Sequence, residues 1–145
     1  NRDEEPIRGA GRIGVAGVHL EALAKGFDVR GSVAVADRSG NTACTLAVAL
    51  RARPRGGVKV GHRVSIDVAM AVTDGLDDVS SDLRRSLVYQ FFDRPPTVVV
   101  AEGPLRHAAS LELEVTPALF SYLSSEALLV EVRLVDEASV AAATG

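Results

Sequence analysis

Three histidines, His19, His62 and His107, are the side chains whose ordinary pKa suits proton transfer near neutrality. They lie far apart in the chain, and none has a second ligand at metal-binding spacing. A zinc site needs three or four such groups, so no metal is expected. Cys44 is the only cysteine, which rules out an intrachain disulfide or a thiolate cluster and leaves the compartment open. Gly9-Ala-Gly11-Arg-Ile-Gly14 matches G-x-G-x-x-G, but "NRDEEPIR" before it does not read as a strand, so no dinucleotide is expected. Asp74, Asp77 and Asp78 lack the spacing and distal glutamate of a calcium loop. Glu112 and Glu114 fall on one outward strand face, where nothing would split their pKa values for acid–base work. No serine sits in G-x-S-x-G. The remaining candidates for catalysis are His62, Glu102 and His107, with no cofactor implied.

These groups must be held by elements, and the pattern is mostly period two. In "VKVGHRVSIDVAMAVT" the even positions from Val58 to Val72 are apolar except His62, and the odd positions are polar or small. A run of about 15 residues would span ~50 Å, longer than ordinary strands, so a bend at Gly61 is expected. His62 would then stand at the rim of the apolar face. "FDVRGSVAVAD" and "TACTLAVALRARP" alternate on either side of "RSGN" and predict a hairpin. Strands are also expected at 97–102, in "HAASLELEV" and at 127–136. Residues 15–25 predict a short helix. Leu83, Leu87, Val88, Phe91 and Phe92 have the spacing of one helical face, which predicts an amphipathic helix over 81–93, stopped by Pro95-Pro96. Thr116-Pro117 resembles a helix N-cap and first position. The expected fold is mainly β (α+β): an antiparallel sheet or β-sandwich of about six strands with one clear helix and one or two short ones. Residues 1–14 read as a flexible arm or linker, 15–137 as a single domain, and 138–145 as a weakly ordered tail.

With 47% hydrophobic and 24% charged residues, the 145-residue chain can fold around a core. A net charge of −3 argues against general nucleic-acid binding, although Arg51, Arg53, Arg55, Lys59 and Arg63 form a local basic stretch. No apolar run reaches the ~20 residues of a spanning helix, so membrane insertion is not expected. The chain starts at Asn1, as a processed product or part of a larger protein would.

"GHRVSIDVAM" is similar to the G-Q-x-F-x-V-D-V segment of dihydroneopterin aldolase. Tyr89 falls where that family's helix carries a tyrosine, "AEGP" where it has Glu-Gly, and "LLVEVRL" near its late strand. Residues 61–135 thus resemble this family, which implies antiparallel strands with two helices, assembled into rings. The family's His-Gly-x-His-Gly stretch has no counterpart, its late lysine would fall near Asp136, and Pro95-Pro96 interrupt its first helix. Two functions follow as expectations. One is a non-enzymatic assembly or protein-binding module of shell, coat or scaffold type, with a protein partner or self-association through Ala43, Thr45, Ala47, Ala49 and Arg51. The other is a small ring-forming enzyme with its site between subunits, using His62, Glu102 or His107.

Overall fold

The computed structural model describes residues 11–54, 56–73 and 82–136. In chain order they form β1 (Gly11–His19), α1 (Glu21–Ala24), β2 (Val29–Ala36), β3 (Thr42–Arg53), β4 (Arg63–Thr73), β5 (Arg84–Tyr89), β6 (Thr97–Ala101), β7 (Leu105–Glu114), α2 (Pro117–Ser125) and β8 (Ala127–Val135). The strands make one sheet in the order β6-β5-β8-β1-β2-β3-β4-β7, antiparallel throughout. The mainly β class and the antiparallel pairing agree with the alternation in the sequence. The strand number is eight rather than about six.

Alternation explains why the sheet curls. Leu46, Val48 and Leu50 on β3, Val64, Ile66, Val68 and Met70 on β4, and Leu128, Val130, Val132 and Leu134 on β8 are all buried and point to one core. Enclosing that core brings the two edge strands, β6 and β7, close together without a ladder between them. The joint between β1 and β2 is also slight, with Val15 and Ala36 the one paired position, whereas β1 is laddered to β8 along its length. Gly14 lies at this joint. A Cβ there would be 2.5 Å from the Ala36 carbonyl oxygen, so only glycine lets the two backbones approach.

α1 and α2 pack together where β1, β3 and β7 finish, burying Leu20, Leu23, Leu119 and Leu123. α2 begins as its sequence indicates: the Leu119 N–H donates to Thr116 Oγ1 at 3.1 Å, with Pro117 at the first position. The β2–β3 hairpin also forms, and Asp37 Oδ1 accepts from the Ser39 and Asn41 amides at 2.9 and 3.0 Å.

Three expectations are corrected. The helix over 81–93 is not formed among the described residues, because β5 occupies Arg84–Tyr89. Leu83, Leu87 and Phe91 are four apart, but they are also all odd-numbered, so they suit one face of an extended chain equally well. The helix over 15–25 is reduced to α1, because residues 11–19 are β1 and are held by β8; the glycine-rich stretch from Gly11 is strand rather than arm. The long third strand begins at Arg63, not Val58. Gly61 takes a left-handed φ of 92°, and residues 56–62 form a loop under which Val58 is buried. Residues 1–10 and the tail at 138–145 lie outside the described residues.

Candidate functional site

The outward side of β2, β3, β4 and β7 brings the smallest side chains of the sheet into register. Arg30, Ala49, Ala69 and Ala108 stand in line across the four strands, and Ser32, Ala47, Ala71 and Arg106 form the next line. Alanine rises only one methyl above the pleat, so these rows make a floor with two adjoining shallow recesses, about 460 and 660 Å³. On the other side of Ala49 and Ala69 the face rises. Arg51, Asp67 and Ser110 form one row there, and Arg53, Ser65 and Glu112 the next.

The raised end is fixed by hydrogen bonds. Arg53 donates from Nε and Nη2 to the two Asp67 carboxylate oxygens at 2.7 and 2.9 Å, and Ser110 Oγ donates to Asp67 Oδ1 at 2.7 Å. The Arg53 hydrogen bond, then that of Ser110, lowers the Asp67 carboxyl to about 2; the same pairing raises Arg53. Ser65 Oγ donates to Glu112 Oε2 at 2.8 Å, and Arg51 Nε lies 3.6 Å from Asp28 Oδ2. Arg30 and Arg106, at opposite flanks of the floor, have no hydrogen bond or ion pair among the described residues.

Of the residues expected at an interface, Thr45, Ala47, Ala49 and Arg51 lie on this face and Ala43 does not. Val35 pairs with Cys44 and Ala36 with Thr42, leaving Ala43 as the extra residue of a bulge. The bulge shifts the phase of the strand, so Ala43 and Cys44 are both buried.

Inside the curl a second constellation crosses the open margin. The Tyr89 hydroxyl on β5 and His107 Nε2 on β7 are 2.8 Å apart, with ring centroids at 5.5 Å. Burial pushes the Tyr89 hydroxyl up, against a smaller opposing effect of the Thr97 hydroxyl, and pushes His107 down. Burial thus favours the neutral imidazole, whose tautomer decides which partner donates. Tyr89 has also moved from the helix that the dihydroneopterin aldolase resemblance gave it onto a strand.

The three catalytic candidates are not brought together. His62 is exposed in the loop before β4, and its carbonyl accepts from the Val115 amide. His107 is eight residues from Val115 along β7, about 26 Å away in extended chain. Glu102 is in the turn between β6 and β7, with its side chain 79% exposed and 3.4 Å from Arg84 Nη2. No group of three His, Cys, Asp or Glu side chains among the described residues could hold a metal ion. No helix among them is long and apolar enough to cross a membrane.

The sequence did not point to Arg30 or Arg106; it offered Arg53 only within a basic stretch, and Asp67 and Tyr89 only within the dihydroneopterin aldolase resemblance. A signal existed for Asp67, a lone charge in the small-residue row Ser65, Ala69, Ala71. Comparison with known proteins adds no family: no protein-family model matches the chain, and no curated protein matches it significantly.

Proposed function

We propose that the chain is an assembly or protein-binding module that docks through the outward face of β2, β3, β4 and β7. The observation supporting this reading is a continuous alanine floor next to polar groups already fixed in place. Burying methyl-bearing backbone costs little side-chain entropy, and the Arg53–Asp67–Ser110 network adds no rotamers to freeze. A floor of alanines also lets a partner approach closely, giving dense packing over a modest area.

Association measured by light scattering, on the protein alone and with partners cross-linked to it in cells, tests the reading. Ala69→Glu and Ala71→Glu place a charge on the floor and abolish association, while His62→Ala and His107→Ala leave it intact. Association that survives both floor substitutions overturns the proposal. A catalytic reading is favoured by one observation, the half-buried Tyr89–His107 hydrogen bond. It requires a turnover that His107→Ala removes and Ala71→Glu leaves in place.

A further inference from the structure

We propose that the occupant of this face is a second copy of the same chain, stacked on it about a two-fold axis that crosses the sheet at Val29, Leu50, Val68 and Ala109. The inference rests on the docking reading above and names its partner. Those four residues are paired in register, so they mark one straight line across the four strands.

Rotated by a half-turn about that line, each strand meets its own counterpart running the other way. Arg106 and Glu112 lie three residues either side of Ala109 on β7, so Arg106 faces Glu112 of the second copy, and the reverse. Arg30 and Asp28 lie either side of Val29, so they pair across the axis in the same manner. Shape follows charge about the same line. Ala49 and Ala47 face Arg51 and Arg53 of the second copy, and Ala69 faces its Asp67. The raised, hydrogen-bonded end of one copy therefore sits in the alanine hollow of the other.

Both flanking arginines lack partners among the described residues, and Glu112 is hydrogen-bonded to a neutral group, Ser65, with the Arg53 charge acting on it without a hydrogen bond. Stacking gives each an opposite charge without breaking the Arg53–Asp67 pair. β3, β4 and β7, ~4.8 Å apart and ~27 Å long about the axis, give about 400 Å² per copy, with only the start of β2 to add, so about 800 Å² in total, the size of a weak, concentration-dependent contact. Such self-complementarity about one line is what an isologous contact requires.

Sedimentation and light scattering of the whole chain over a hundredfold concentration range provide the test. A particle twice the 15.2 kDa chain mass is expected. Arg106→Glu alone and Glu112→Arg alone each set like charges opposite one another and weaken the dimer by about tenfold or more. The double variant, Arg106→Glu with Glu112→Arg, recovers most of that loss. Ala69→Glu fills the hollow, sets a carboxylate against Asp67 of the second copy, and gives a monomer whose strand content by circular dichroism is unchanged.

A wild-type chain that stays monomeric overturns the second copy as occupant, while the docking reading stands or falls on the cross-linked partners. Single reversals that weaken the dimer without recovery in the double variant overturn the two-fold register. A dimer indifferent to Ala69→Glu overturns this inference and removes the face from the docking reading as well.

Discussion

At the scale of single residues, the hydrogen bond between Tyr89 and His107 is a polar contact that spans the inside of the curl. Its consequence for pH has a definite sign. Burial depresses the His107 pKa below its ordinary 6.5, so folding favours the neutral ring. The unfolded chain binds the proton more readily, and the stability contributed by His107 is complete above about pH 6.5 and is lost as pH falls through the folded value. Thermal unfolding followed between pH 7.5 and 5 should show the melting temperature falling toward acid. His107→Gln, which can still bond the Tyr89 hydroxyl, should show a shallower fall over the same range; equal slopes would assign the effect elsewhere. Asp67 is well separated from this experiment, since its carboxyl titrates near 2 and loses its contribution only in stronger acid.

At the scale of elements, β1 is attached to β2 at a point where one added methyl is decisive. Gly14→Ala puts carbon 2.5 Å from the Ala36 carbonyl oxygen and should destabilise the chain by about 1–3 kcal/mol, as overpacking does. Gly17→Ala, whose nearest neighbour would be 3.8 Å away, should change stability little. Denaturant midpoints of the two variants check the contrast. Elements were legible in the sequence where one face is apolar and the other is not, as in β3, β4, β7 and β8. β5 was not, because the half-buried Arg85, bonded through Nη1 to the Glu102 carbonyl, stands in the row of Leu83, Leu87 and Tyr89 and breaks the alternation. β1 was hidden by Gly11, Gly14 and Gly17, residues that weaken a strand taken alone and are tolerated here because β8 supplies the ladder. For the candidate face, the run from Thr45 to Arg51 could be read within one strand. Its continuation through Ala69, Ala71 and Ala108 depends on register between strands far apart in sequence, which no local pattern carries.

At the scale of the whole molecule, the curl closes on one side by a ladder and on the other only by proximity. β6 is paired to β5 but has no ladder to β7. Amide protons of β6 that point to β5 should therefore exchange slowly with solvent, and those that point outward rapidly, alternating along Thr97–Ala101. Hydrogen exchange by NMR would show this, and uniform protection would mean that the margin is sealed. The β1–β8 ladder has a different consequence, one that concerns biosynthesis. His19 pairs with Ala127, so the first described strand cannot be satisfied until the last has been made. A ribosome adding 5–20 residues per second needs roughly 5–20 s to cover that interval. During it β1 is an apolar ribbon with both edges open, apart from one position beside Ala36. A nascent chain of this kind is exposed to wrong pairing for as long as translation is slow, and a pause before Ala127 would prolong the exposure. Codon choice and chaperone access in the stretch from β4 to α2 should therefore affect the yield of folded protein even where the finished core is unchanged.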